Sequence, residues 1–334
     1  MNEKERLIRA LKRKTVDRPP VVCPGGMMNA GVTELLQDVQ GNHNSDVDAM
    51  VDVARKVHDL TGFENLGVPF DMTVESEPLG ACVDWGDKEI EPRVTRYSDA
   101  TIEEIIRDCH VEPFAQKRMA VVLESIGKLK NADIPVIGNV TGHFSTATSV
   151  FDPLVIIKML RADPEKASDF FKFITEYSIA YAVEMVHAGA DVIAISDPTA
   201  TGDILGTRYF ENFAAPFYTV FIESMHALNI PVIVHICGNA NTIVESLNRI
   251  GADALSFDSI VNMRAARKLV ATALMGNVNT QLLHTGEMDK VRSVTANCVD
   301  SGVDIVAPAC GLSMATPVHN LRAMTDFVRN GIGD

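Results

Sequence analysis

Short apolar runs rich in Val and Ile alternate along the chain with longer stretches of helical periodicity. Eight such runs occur, at residues 20–24, 65–70, 135–140, 191–196, 231–236, 252–257, 272–278 and 304–308. Three follow a Gly-Ala-Asp or Gly-Val-Asp turn (Gly189-Ala190-Asp191, Gly251-Ala252-Asp253, Gly302-Val303-Asp304) and two follow Ile-Pro (Ile134-Pro135, Ile230-Pro231). These are helix-stop and strand-start signals of αβ loops. The runs are apolar throughout rather than alternating, which suits strands buried on both faces of a parallel sheet. Eight strands with intervening helices predict an α/β fold, a single (β/α)8 barrel. A doubly wound sheet is the other architecture, but neither a G-x-G-x-x-G nor a P-loop pattern supports it.

The interval between the second and third runs exceeds the usual spacing. It holds a strand or hairpin excursion at 82–97 and acidic helix starts near Thr101 and Glu112. We therefore expect one domain over 1–334, with an N-terminal helix in 1–19 and an insertion, 72–133, near the barrel mouth. The charged opening, Met1-Asn2-Glu3-Lys4-Glu5-Arg6, and the lack of an apolar run near 18 residues lead us to expect neither signal peptide nor membrane span. The net charge of −14, with no Lys/Arg cluster, argues against nucleic-acid and anionic-membrane partners. Six cysteines in 334 residues form no disulfide framework and are expected to be reduced thiols in a cytoplasmic protein.

Chemistry in such a barrel collects at the C-terminal ends of the strands. Those ends read Cys23-Pro24-Gly25-Gly26, Asp71, Thr141-Gly142-His143, Asp197, His235-Ile236-Cys237-Gly238, Asp258, Asn277-Val278-Asn279 and Cys310-Gly311. His235 and Cys237 lie two apart on a strand, so they share one face, roughly 6–7 Å apart. If that face is the interior, Cys310 reaches the same space. His-Cys-Cys is a soft three-ligand set suited to zinc with one open position, the arrangement of a catalytic site. On spacing alone, two buried cysteines and a histidine bonded to a backbone carbonyl is the more ordinary reading. Such a metal would suit activation of an incoming thiol better than of water.

The segments His235-Ile236-Cys237-Gly238 and Ala307-Pro308-Ala309-Cys310-Gly311, the latter followed by Met314-Ala315-Thr316-Pro317, resemble the zinc motif of the MtaA/MtbA family. These are methylcobamide:coenzyme M methyltransferases within the uroporphyrinogen decarboxylase superfamily. Pro69-Phe70-Asp71-Met72-Thr73-Val74-Glu75, Ala194-Ile195-Ser196-Asp197-Pro198, Gly276-Asn277-Val278 and the opening Leu11-Lys12-Arg13-Lys14-Thr15-Val16-Asp17-Arg18-Pro19-Pro20 extend the resemblance over nearly the whole chain. It implies a TIM barrel with one Zn2+ per chain held by His235, Cys237 and Cys310. It further implies attack of a zinc-activated small thiol, such as coenzyme M, on the methyl group of a methyl-Co(III) corrinoid carried by a separate corrinoid protein.

True uroporphyrinogen decarboxylase has an Arg-Gln-Ala-Gly-Arg segment at its first strand end, for a polyanionic substrate. Cys23-Pro24-Gly25-Gly26-Met27-Met28-Asn29-Ala30-Gly31 supplies no cation there. Thr141-Gly142-His143-Phe144-Ser145-Thr146-Ala147 departs from the family's T-G-P-F/V-T-L-A form at His143, which leaves the opposite half-reaction, methyl transfer from a methoxylated or other donor onto a corrinoid protein, as the alternative. A non-catalytic zinc-binding barrel is a third reading. Asp71, Asp197 and His143 are the candidate catalytic or positioning groups, and Gly25, Met27 and Asn277 the candidate corrinoid-binding ones. Asp258 reads as a helix N-cap and Glu75 as a solvated first-turn acid.

Overall fold

The computed structural model describes residues 1–109 and 117–331; Glu112, where a helix start was expected, lies outside the described residues. Six of the eight apolar runs form one parallel sheet. Its strands are β1 (Leu66–Val68), β4 (Val136–Thr141), β5 (Val192–Ser196), β6 (Val232–Ile236), β7 (Ala254–Phe257) and β8 (Ala273–Met275), each hydrogen-bonded to the next in that order. All six are buried along their whole length, which is why they read as uninterrupted apolar runs.

The remaining two runs close the ring. Ile305 bridges Met275, and Val306 bridges Val21 in parallel. The Val22 N–H donates to Val306 O and the Val306 N–H to Pro20 O, both at 2.9 Å, and the Glu64 N–H donates to Val21 O at 2.8 Å. Pro20, Pro24 and Pro308 have no N–H, so these two runs make isolated bridges rather than ladders. The eight runs thus form a closed (β/α)8 barrel.

Helix Glu3–Leu11 lies under the N-terminal end of the barrel, burying Leu7, Ala10 and Leu11 on one face. It is tied there by Arg6, whose guanidinium meets Glu64 at 2.6 Å, while Arg18 meets the same carboxylate at 2.7 Å. Between β1 and β4 runs an antiparallel hairpin of β2 (Cys82–Asp84) and β3 (Arg93–Arg96). Its turn is strapped to the segment after the first run: Asn42 and Asn44 side chains donate to Gly86 O and Trp85 O, at 3.0 and 3.2 Å. Helix Ile102–Asp108 follows, with Thr101 and Glu104 forming a capping box. Among the described residues no helix is long and apolar enough to cross a membrane.

Candidate metal centre

His235 sits one residue before the end of β6, in register with Ser256 of β7, so both side chains share a face. His235 Nδ1 lies 3.0 Å from Ser256 Oγ, and His235 is 1% exposed. With Nδ1–H donating to that hydroxyl, Nε2 is left with its lone pair. Among the described residues it meets no hydrogen-bond partner of ordinary geometry, and His235 Nε2 is buried.

Cys237 follows two residues later, and Cys310 arrives from the loop after the 304–308 run. The three donor atoms lie within 4.8 Å of one another, with the two sulfurs 2.7 Å apart. One proton shared between two neighbouring thiols splits their acidities: Cys310 is held below the ordinary thiol range by its bond with Cys237, and Cys237 is pushed up by the same bond and by burial. An orphaned imidazole nitrogen facing two thiols is a costly arrangement for a protein core unless an ion completes it. The donor set fits zinc.

Met27 Sδ rests 3.6 Å from Cys310 Sγ. It is presented by a turn that requires Gly25, at φ +107°, where a Cβ would lie 2.6 Å from Asn139 Nδ2 and 2.9 Å from Pro69 O. Asp258 does not cap a helix: Asn262 caps helix Met263–Leu269, and Asp258 turns inward. Its Oδ2 accepts from the Gly238 N–H at 3.1 Å and lies 3.6 Å from Cys237 Sγ. Asn277 fixes this loop, its Nδ2 donating to Asp258 O and Val261 O, both at 2.9 Å.

The other anticipated side chains are committed to their own partners. Asp71 bonds Arg118 Nη1 at 2.9 Å and the Thr73 hydroxyl at 2.6 Å, and Arg118 also meets Glu77 at 3.1 Å. Asp197, fully buried, accepts from the Phe144 and Ser145 N–H groups at 3.2 and 2.9 Å and from the Tyr218 hydroxyl at 2.8 Å. It caps helix His143–Val150, which has no cap of its own. The approach is close enough that a Cβ at Gly142 would lie 2.2 Å from Asp197 Oδ2.

His143 donates from Nε2 to Phe213 O at 3.1 Å and packs against Phe171, Phe217 and Tyr218, with centroids 4.9–5.7 Å away. Burial lowers its pKa and keeps the ring neutral. Glu75 corrects the expectation of a solvated acid. It is 1% exposed, accepts from Thr141 N–H and hydroxyl at 2.8 and 2.7 Å, and is held toward its protonated form by burial. Ser256 and Arg118 carry no sequence signal of a site role, and Asp258, a strand-end candidate, reads from sequence as a helix cap. Only the position of Asp258 at a strand end, next to the strand carrying His-x-Cys, signalled one of them.

A closed (β/α)8 barrel with a His-Cys-Cys donor set at the C-terminal ends of its strands defines the class. The chain belongs to the uroporphyrinogen decarboxylase (URO-D) family, whose model matches residues 2–331. The methylcobamide:CoM methyltransferase MtbA of Methanosarcina mazei is 30% identical over 98% of this chain and 97% of its own length. MtaA of Methanosarcina barkeri is 29% identical over 96% of each. A solved methyltransferase from Methanosarcina mazei superposes with a TM-score of 0.90 at 28% identity, over 99% of both chains.

Proposed function

We propose that the protein is a methyltransferase that uses a corrinoid, moving a methyl group from a protein-bound methyl-Co(III) corrinoid to a small thiol such as coenzyme M, with one zinc ion per chain. The observation that carries this reading is the convergence of two cysteine sulfurs on a buried imidazole nitrogen that has no hydrogen-bond partner among the described residues. Zinc held by His235, Cys237 and Cys310 would lower a thiol's pKa and keep it nucleophilic. Ser256 fixes the His235 tautomer. Cys237 and Cys310 would both bind such an ion as thiolates, and Met27 keeps that flank apolar. Asn277 holds the loop that sets Asp258 beside Cys237. Asp71, Asp197 and His143 act as positioning groups, fixing the mouth loops through Arg118 and helix His143–Val150.

In the transfer the thiolate pair forms the S–CH3 bond, and the cobalt–carbon pair stays on the metal, leaving Co(I). The segment 72–133 is proposed to flank the mouth of a single domain, and the reduced cysteines fit the cytoplasm.

The test is loss of the methyl–cobalt absorption band of methylcobalamin when the zinc-loaded protein meets a panel of thiols. Reaction with one thiol, abolished by Cys237→Ala or Cys310→Ala, supports the reading and names the acceptor. Zinc at full stoichiometry without reaction would favour the opposite half-reaction. Failure to hold zinc would refute both.

A further inference from the structure

The barrel register lines up one row of side chains near the C-terminal ends of the strands. Thr141 of β4 pairs with Ser196 of β5, Ser196 with His235 of β6, His235 with Ser256 of β7, and Ser256 with Met275 of β8. Residues paired across neighbouring parallel strands show their side chains on one face. The contact of His235 Nδ1 with Ser256 Oγ at 3.0 Å marks that face as the one carrying the donor set. Neighbouring strands lie about 4.8 Å apart, so Ser196 stands beside His235 on the side away from Ser256.

The other polar members of the row are engaged. The Thr141 hydroxyl meets Glu75 Oε2 at 2.7 Å and Met72 O at 3.3 Å. Ser256 serves His235 Nδ1, and the far nitrogen of that ring belongs to the donor set. Ser196 is different. It is 3% exposed, and among the described residues its hydroxyl makes no hydrogen bond, yet the oxygen is not sealed off as those of Ser178, Tyr181 and Thr316 are. A buried hydroxyl without a partner is costly. One that still keeps accessible surface is placed to meet a ligand atom.

The donor set leaves that side free. His235 and Cys237 come from β6 and the residue after it, and Cys310 follows the 304–308 run. Asp258, after β7, lies 3.6 Å from Cys237 Sγ, and Met27, after the first run, lies 3.6 Å from Cys310 Sγ. In ring order these groups occupy β6, β7 and the two closing runs, which leaves the arc of β1, β4 and β5. On that arc Asp71 is bound to Arg118 and Thr141 to Glu75. Ser196 is the hydroxyl of the row still able to donate. A sulfur bound on this side of the donor set meets the wall of β5 before any tail it carries, and an anionic sulfur needs only a short neutral donor.

We infer that the Ser196 hydroxyl donates a hydrogen bond to the sulfur of the acceptor thiol and holds it on the β5 side of the donor set. The inference rests on the thiol reading above. Such a bond is strongest while the sulfur carries its charge and weakens as the sulfur gains the methyl group. It therefore contributes to thiol binding and not to the transfer step.

The test is calorimetric titration of the zinc-loaded protein with ethanethiol, 2-mercaptoethanol and coenzyme M. Ser196→Ala should bind every thiol that the wild type binds roughly three- to tenfold more weakly, ethanethiol included, with zinc content and melting temperature unchanged. In the methylcobalamin assay KM for the thiol should rise by the same factor while kcat holds, a split that a distorted site would not give. A loss confined to thiols with polar tails would overturn the contact with sulfur and move the hydroxyl to the tail. Unchanged affinities, or a fall in kcat at constant KM, would overturn it and leave the thiol reading standing. A wild-type protein that holds zinc and binds no thiol would overturn both.

Discussion

Replacing Ser256 with alanine removes the group that orients His235. The two side chains meet at 3.0 Å, and each residue is 1% exposed, so no water replaces the lost acceptor. Two effects follow and can be measured separately. In the metal-free protein the His235 Nδ1–H loses its buried partner, a cost of about 1–3 kcal/mol of folding stability. In the metal-loaded protein the ring is free to place its proton on either nitrogen, so part of the binding energy goes into selecting the tautomer that coordinates through Nε2. Loss of such an outer partner weakens metal binding roughly 10–100-fold, or about 1.4–2.7 kcal/mol. Because a serine hydroxyl is a neutral acceptor, the expected loss lies near the tenfold end. Competition against a chromogenic chelator gives the zinc Kd, and thermal unfolding of the metal-free protein gives the first effect. Ser256→Thr keeps the hydroxyl and should restore most of the affinity. An unchanged Kd in Ser256→Ala would refute the assignment of Nε2 as the ligand atom. So would an equal loss in Ser256→Thr.

Two further perturbations address the scaffold. Glu64, fully buried at the barrel base, holds both Arg6 and Arg18 and accepts the Val21 N–H at 3.0 Å. In Glu64→Gln, Arg6 keeps its bidentate pair with Asp17 at 2.8 Å and Arg18 turns to solvent, so the cost is that of weakened buried hydrogen bonds, about 1–3 kcal/mol in chemical denaturation, with zinc affinity retained; an unchanged stability would contradict the burial argument. His58 bonds Glu3 at 2.8 Å and Asp59 at 2.7 Å, and its pKa is raised, first by the Glu3 bond. A raised folded-state pKa means that the stability this cluster contributes is fully present below the unfolded value of 6.5 and is lost as pH rises through the folded value. The melting temperature of the wild type should therefore fall across that window relative to His58→Gln. Parallel pH profiles would exclude the linkage.

The barrel was legible because its strands are buried on both faces. That condition forces uninterrupted Val/Ile runs, and turn residues mark their ends, so all eight were found in the sequence, including two that make only isolated bridges. His235 and Cys237 were legible for a related reason: the run holds His235 on β6, and a spacing of two keeps Cys237, the residue just past the strand's end, on the same side. Cys310 lies 73 residues from Cys237, and composition or spacing could offer it only conditionally; the family resemblance implied it and barrel closure brings it in. Glu75 read as a surface acid because an acidic first turn normally faces water, yet the Thr141 N–H and hydroxyl are waiting for it inside. Arg118 and Asp71 pair across 47 residues, and Ser256 meets His235 only through the β6–β7 register. Asp258 looked like a cap because the local rule is a cap; the Gly238 N–H in the loop after the neighbouring strand outbid it. The sequence by itself determined the strands, the faces they present and the residues able to ligate a metal, all set by local geometry and burial. Which carboxylate neutralises which cation, which hydroxyl orients the imidazole and which distant thiol joins Cys237 were decided by the tertiary structure, because each depends on groups that meet only when the ring closes.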